Sequence, residues 1–346
     1  MKYAMITGAR RIEIRETEPM PAAAGKARIR IKRCGICGTD FHMWEDGETY
    51  KGLIPGHEAA GVIEEIPSGY DGPLKEGDRV AVFPAEPCGD CQLCRTGLRN
   101  LCLPPGSMGL GCGLHEPGAF SECLDFSIRF LSKLPDNVTY SQGSLAEPAS
   151  VAYRAIQHAD LNVGDGVLIS GAGIIGLLCA QFAKLSGAAY IAVFDIEHER
   201  LKLAYDLGDV TESFDVSSNQ HPEKTLWTAS NGGFDCFIDC TGHQNAINLG
   251  ISVLKKGKKM VCVGINFEKQ LLDHVRIVQN ELEVKGSFGQ VEKDFDECIK
   301  MIGAGILDVD KYIFKTIGFS ELQSCFEQKD RQKGTDLKVL LDPEKD

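Results

Sequence analysis

The sequence predicts an α/β protein built from an irregular, mostly antiparallel β domain and a doubly wound parallel sheet. Three features carry that prediction: a length of 346 residues, a change of pattern near Ser144, and a glycine-rich turn set between a strand and a helix. A chain of this length exceeds one small core and suggests two domains. Before the change come short β-branched runs punctuated by Gly and Pro, at 27–35 (ARIRIKRCG), 59–66 (AAGVIEEI), 77–84 (GDRVAVFP) and 118–126 (GAFSECLDF). Such spacing suits short strands and turns. After it, helical and strand patterns alternate: a helix over 144–159, a strand at 166–171, a helix over 174–187, a strand at 190–196 and a helix over 198–208. A polar loop is expected around Ser217 to Glu223, then a strand at 234–242, a helix over 244–256 and a strand at 259–266. Continuous apolar strands separated by helices indicate a parallel sheet covered on both faces. The last segment, from about Gly286, holds a helix at 294–305 and a final strand at 337–342.

Composition narrows the function. A hydrophobic fraction of 43% fits a globular protein, and no run of about 18 apolar residues is present to cross a membrane. The N-terminus alternates like a strand and shows no apolar targeting core, so a cytoplasmic location is expected. The net charge of −12 argues against binding nucleic acid. The densest basic group, Lys255, Lys256, Lys258 and Lys259, reads as a solvated turn. Fourteen cysteines without an export signal fit a reducing compartment. Cys179, Cys236, Cys240, Cys262, Cys298 and Cys325 lie in apolar surroundings and read as small buried hydrophobes.

Four of the cysteines, Cys88, Cys91, Cys94 and Cys102, fall within fifteen residues. Their spacing allows four thiolates to wrap one tetrahedral zinc. With every position taken by sulfur such a site is structural. A pair of disulfides is the competing assignment, disfavoured by the expected compartment and by the spacing.

The glycine turn is Gly171-Ala172-Gly173-Ile174-Ile175-Gly176, entered from a strand and followed at once by a helix. Asp195 closes the next strand, nineteen residues after Gly176. This is the context of a dinucleotide fingerprint: Gly171 for the tight turn, Gly173 for approach of the pyrophosphate, Gly176 for packing of helix on strand. Asp195 would accept the adenosine ribose hydroxyls and repel a 2′-phosphate, which favours NAD over NADP, and Arg200 lies close by.

Cys37-Gly38-Thr39-Asp40-Phe41-His42 and Gly56-His57-Glu58 contain a second set of ligand types. A thiolate, an imidazole and a carboxylate or water hold zinc with one exchangeable position, as a catalytic site requires. Spacing alone leaves a metal role for Cys37 and His57 open.

In combination, CGICGTDFH, PGHEAAG, the Cys88–Cys102 lobe, AEPASVAYRA and GAGIIG with Asp195 resemble the zinc-containing medium-chain alcohol dehydrogenases. The branch is that of the polyol (sorbitol-like) and threonine dehydrogenases, and the motifs keep family order over almost the whole chain. The resemblance implies a GroES-like catalytic domain, 1–149 completed by 286–346, with a Rossmann NAD-binding domain at 150–285. It implies two zinc ions per chain. Cys37 and His57 match catalytic zinc ligands, Glu58 matches a carboxylate that ligates in many relatives, and Glu147 matches a position that ligates or holds the zinc-bound water. Cys34 stays outside the metal shell as packing. Thr39 is implied to accept the alcohol proton and His42 to exchange it with solvent, with Asp40 and Glu147 orienting the ligands. Gly171, Gly173, Ile174, Ile175, Gly176, Asp195, Arg200, Thr241, Gly264, Ile265 and Lys338 are the implied cofactor contacts.

The activity so implied is reversible oxidation of a secondary alcohol of a polyol or sugar derivative to the ketone, with L-threonine 3-dehydrogenase as the rival. A non-catalytic nucleotide-binding or structural member is the alternative from another class. The substrate candidates are Arg154 and Phe288. Sorbitol-type relatives commonly carry Arg-Tyr where this chain has Gly289-Gln290, and a histidine where it has Arg154. That exchange suggests a different substrate, one with an acidic group, unless Arg154 pairs with a carboxylate such as Glu147. A homo-oligomer, tetramer before dimer, is implied by the resemblance.

Overall fold

The computed structural model describes residues 1–18, 22–23, 25–102, 109–111, 117–331 and 336–346, with the side chains of 329–331 outside the description. In order, the chain opens with β1 (Lys2–Gly8), β2 (Arg11–Glu16), β3 (Ala27–Gly35), α1 (Gly38–Glu45), β4 (Glu58–Glu65), β5 (Arg79–Val82) and α2 (Gln92–Arg95). It continues through β6 (Cys123–Phe126), β7 (Leu131–Lys133), α3 (Tyr140–Ser144) and α4 (Ala146–Ala159). Then come β8 (Gly166–Ser170), α5 (Ile174–Leu185), β9 (Tyr190–Asp195), α6 (His198–Asp206), β10 (Glu212–Asp215) and α7 (Pro222–Ala229). They are followed by β11 (Phe234–Asp239), α8 (Gln244–Ser252), β12 (Leu254–Cys262), α9 (His274–Gln279) and β13 (Glu283–Gly286). The chain closes with α10 (Glu292–Gly303), β14 (Ile313–Ile317), α11 (Leu322–Arg331) and β15 (Lys338–Leu341).

The chain forms two compact units, Met1–Glu147 with Val291–Asp346, and Pro148–Gln290. The family resemblance implies limits at 149/150 and 285/286.

In the first unit the strand order is β14-β15-β3-β4-β5-β7, with β6 also on β3, and β1 pairs with β2 apart. Alternation along β3 explains its place. Ala27, Ile29 and Ile31 are fully buried, while Arg28 and Arg30 turn outward to Asp125 and Glu64. β4 and β15 flank β3 on either side, both antiparallel to it. Register then does the positioning: Gly35 stands opposite Glu58 on one side and Leu340 on the other. The last strand thus returns to the first unit. Amphipathic α10 belongs there too, burying Phe295, Cys298, Ile299 and Ile302 at helical spacing.

The second unit is a Rossmann fold. Its sheet order is β10-β9-β8-β11-β12-β13 with every pairing parallel. Numbered within the unit this is 3-2-1-4-5-6, which puts the topological switch point between β8 and β11. Its core gathers Leu168, Phe194, Leu226, Phe234, Phe237 and Met260.

Three expectations need correction. The lysine group is not a solvated turn, because β12 begins at Leu254 and incorporates it, with Gly257 at φ 69° allowing the irregularity. Lys255 and Lys258 both pair with Asp235, and Lys259 with Glu283. The polar loop near Ser217 stops at His221, since Pro222 starts α7 from a position where its missing N–H costs nothing. Cys240 and Cys262 are half-buried at the carboxyl ends of β11 and β12, whereas Cys179, Cys236, Cys298 and Cys325 are buried.

Candidate active site and dinucleotide loop

The metal-ligand candidates are assembled by local rules. Cys37 is the N-cap of α1, and Asp40 at the third helical position reaches back so that its Oδ2 accepts the Cys37 N–H at 2.8 Å. Its Oδ1 accepts the Gly56 N–H at 3.1 Å and lies 3.7 Å from His57 Nδ1. One fully buried carboxylate therefore ties the Cys37 turn to the Gly56 backbone that precedes His57, and lies beside the His57 ring. Burial raises the Asp40 carboxyl, while His57 and the Cys37 N–H pull it back.

Glu58 follows His57 at the start of β4 and points across at Gly35. A Cβ on Gly35 would meet Glu58 Oε2 at 1.9 Å, so a side chain there would displace the Glu58 carboxylate. Ligand atoms of Cys37, His57 and Glu58 all lie within 4.8 Å of one another. A thiolate, an imidazole and a carboxylate are a zinc donor set that leaves a position for an exchangeable ligand.

Glu147 is buried but stands outside that group of three. It acts at a distance, adding to the negative field that raises Lys338. Lys338 corrects the sequence reading. Expected among the cofactor contacts, it is 1% exposed, and Nζ donates to Glu58 Oε1 at 2.6 Å, Glu58 Oε2 at 2.7 Å and the Ile36 carbonyl at 3.2 Å. An ammonium has three protons, and all are committed within the metal site. The physical reason is strand register, since the Ile36 N–H donates to the Val339 carbonyl and so brings Lys338 beside Cys37 and Glu58.

Thr39 is exposed, with Oγ1 3.7 Å from Cys37 Sγ. His42 is exposed on the same helix, 3.8 Å from Glu45. Cys34 is fully buried, and that burial pushes its thiol well above the ordinary value.

The cysteine lobe is a separate centre. Cys88 and Cys94 sulfurs lie 3.9 Å apart and those of Cys91 and Cys102 4.0 Å apart. A disulfide needs about 2.05 Å, whereas sulfurs around a tetrahedral zinc sit about 3.8 Å apart. Backbone N–H groups of Cys91, Cys94 and Cys88 point at the sulfurs of Cys88, Cys91 and Cys102. Such donors, from Cys91 and Asp90, draw the Cys88 thiol below its usual value. Burial and the neighbouring thiols push Cys94 up to about 12, so four thiolates need a cation among them. Arg99 Nε ties the lobe to Glu292 on α10 at 2.7 Å.

In the second unit Gly171 adopts φ 89°, and a Cβ on Gly176 would lie 2.0 Å from the Gly171 carbonyl. Gly173 caps α5, and a Cβ there would meet nothing within 4 Å, so the backbone is open to a phosphate. Ile174 and Ile175 form the first turn of that helix. Asp195 accepts the Ala172 N–H at 2.7 Å and those of Ile196 and Glu197 at 2.7 and 3.0 Å, tying the glycine turn to the end of β9. Arg200 lies in the first turn of α6. Thr241 and Ile265 are exposed and Gly264 half-buried, beyond the ends of β11 and β12. Arg154 is buried on α4, and Phe288 is exposed after β13.

Fold and centres together define a zinc- and dinucleotide-dependent oxidoreductase. Residues 23–136 match the alcohol dehydrogenase GroES-like domain, and residues 175–304 match the zinc-binding dehydrogenase family. A protein of Aspergillus fumigatus named probable D-xylulose reductase A is 32% identical over 321 residues, 90% of this chain and 88% of its own. The structure of 2R,3R-butanediol dehydrogenase from Bacillus subtilis is 29% identical, with a TM-score of 0.88 over 99% of both chains. One described as a short chain alcohol dehydrogenase from Escherichia coli CFT073, complexed with NADH, is 27% identical, with a TM-score of 0.90 over 99% of both chains. The chain belongs to the zinc-containing medium-chain alcohol dehydrogenase family, and it is an NAD-dependent alcohol dehydrogenase.

Proposed function

We propose that this enzyme oxidises a secondary alcohol of a polyol or sugar derivative to the ketone, reversibly, with NAD as acceptor. The observation that carries the reading is the Cys37–His57–Glu58 group, with His57 and Glu58 buried and Cys37 half-buried, backed by Asp40 in a chain 32% identical to a protein named probable D-xylulose reductase A. The balance is alcohol plus NAD⁺ to ketone plus NADH and one proton. When bound, zinc supplies the Lewis acidity that acidifies the hydroxyl, and NAD supplies the hydride acceptor. Cys37, His57 and Glu58 would hold the metal. Thr39 takes the alcohol proton, and exposed His42 passes it to solvent. Asp195 supports NAD over NADP, because a carboxylate there repels a 2′-phosphate.

No helix among the described residues is long and apolar enough to cross a membrane. The described cysteines are free thiols, which supports a reducing, cytoplasmic setting. A homo-oligomer of two or four chains is supported by β13, a sheet-edge strand whose four residues are all exposed. The test is a screen of diols, polyols, sugar phosphates and threonine with NAD and with NADP, following reduced cofactor. NADH formation is expected with polyols. Threonine as the one substrate, or no secondary alcohol oxidised by zinc-loaded protein, would sink the proposal; a preference for sugar phosphates would favour a substrate with an acidic group.

A further inference from the structure

The topological switch point of the second unit holds a polar clasp. Ser170 ends β8 and Asp239 ends β11, directly paired across the strands on which the sheet reverses. They are 0% and 1% exposed. Ser170 Oγ donates to Asp239 Oδ1 at 2.6 Å and accepts the Cys240 N–H at 3.3 Å. The same carboxylate takes three more donors from the loop that follows. Oδ1 accepts Thr241 Oγ1 at 2.8 Å and Thr241 N at 3.1 Å, and Oδ2 accepts Gly242 N at 3.0 Å. Its main-chain carbonyl accepts the N–H groups of Val263 and Gly264 at 2.8 and 2.9 Å. The two loops then interlock, since a Cβ on Gly264 would lie 2.3 Å from Gly242 N.

A dinucleotide lies across the carboxyl ends of the strands, its pyrophosphate at the turn after β8. Asp195 on β9 marks the adenosine side. The other half must then extend over β11 and β12, where the loops seated by Asp239 form the floor. We infer that Asp239, locked by Ser170, is a positioning residue for the nicotinamide half of the cofactor. The inference rests on the NAD reading above.

Asparagine at 239 cannot serve all four donors. With its NH2 at the Oδ1 place the Thr241 N–H loses its acceptor, and at the Oδ2 place the Gly242 N–H does. In zinc-loaded full-length protein, Asp239→Asn should weaken NADH binding by about tenfold. Binding of ADP, which carries only adenosine and pyrophosphate, should be unchanged. NADH affinity would be read by fluorescence and ADP affinity by calorimetry. Unchanged NADH affinity overturns the inference, as does an equal loss for NADH and ADP, the signature of a generally loosened domain. If Asp239→Asn does not fold, Ser170→Ala carries the same comparison, with a smaller loss expected for NADH alone and no loss overturning it. Wild-type protein that binds neither compound would instead overturn the dinucleotide reading.

Discussion

The ammonium of Lys338 donates to both carboxylate oxygens of Glu58, at 2.6 and 2.7 Å, with each residue 1% exposed. Burial pulls the Lys338 ammonium down, and the charges of Glu58, Cys37 and Glu147 outweigh it, so it stays charged above its ordinary range. Glu58 is therefore shared between a cation from the last strand and the metal-ligand group. Lys338→Met should leave a buried, unpaired carboxylate and cost metal-stripped protein about 3–5 kcal/mol. Zinc should restore more stability to the variant than to the wild type, because the metal becomes the only cation facing Glu58. Thermal unfolding with and without zinc measures both, and an equal zinc-induced gain in the two proteins would show that Lys338 and the metal do not share the carboxylate.

Thr39 is exposed, with its hydroxyl 3.7 Å from Cys37 Sγ, and it is not one of the three grouped ligand residues. Thr39→Ala should therefore slow hydride transfer by about a hundredfold while leaving zinc content intact. Single-turnover rates and metal analysis on one preparation separate the two effects. Wild-type turnover across the pH range would remove Thr39 from the proton path.

The lobe stabilises rather than reacts, since four sulfurs close its coordination. Cys94 is its buried sulfur, so Cys94→Ser should lower zinc content by about one ion per chain and lower the melting temperature. Zinc remaining in the variant should still support hydride transfer. Loss of activity with the second zinc fully retained would contradict the division of labour.

β13 offers its outer edge with the sequence Glu283-Val284-Lys285-Gly286, all exposed, and Phe267, Leu271, Val275 and Val278 are exposed in the stretch between β12 and β13. Antiparallel pairing with a second copy about Val284 sets Glu283 against Lys285 twice. Lys285→Glu should dissociate that contact through like charges, and the swapped Glu283→Lys/Lys285→Glu protein should re-form it. Sedimentation at fixed concentration reads the outcome. A single variant that keeps wild-type mass would place the oligomer contact elsewhere.

What was legible in the sequence follows distance along the chain. The glycine turn and the cysteine lobe are local, with their donors and spacing inside a few residues, and periodicity placed α4, α5, β8, β9 and β11 beside them. Lys338 was named for another role, because its partner Glu58 is set by the register of β15 on β3 across some three hundred residues, which no local pattern contains. Ser170 and Asp239 went unread although a signal existed: Asp239 is an acid inside the apolar run FDCFID, and a buried carboxylate at a strand end needs donors. The lysines of β12 misled for the opposite reason. Their charges look solvated until Asp235, twenty residues earlier than Lys255, is seen beneath them.

That relationship gives a prediction with a pH sign. Asp235 accepts the Gly166 N–H at 3.0 Å, Lys255 at 2.9 Å and Lys258 at 3.1 Å, so it joins β11 to β8 and β12. Burial raises its carboxyl, but those three donors outweigh burial and hold it below the usual carboxylate value. A carboxyl depressed on folding contributes stability that is complete above its unfolded pKa of about 3.9 and fades as pH falls through the lower folded value. Asp235→Asn should therefore cost about 1–3 kcal/mol at neutral pH. Denaturant titrations should show the gap to wild type closing once pH drops below about 4, where the unfolded chain takes up the proton that the native carboxylate still resists. A gap that stays constant from neutral into the acid range would mean that Asp235 acts through shape and not through charge.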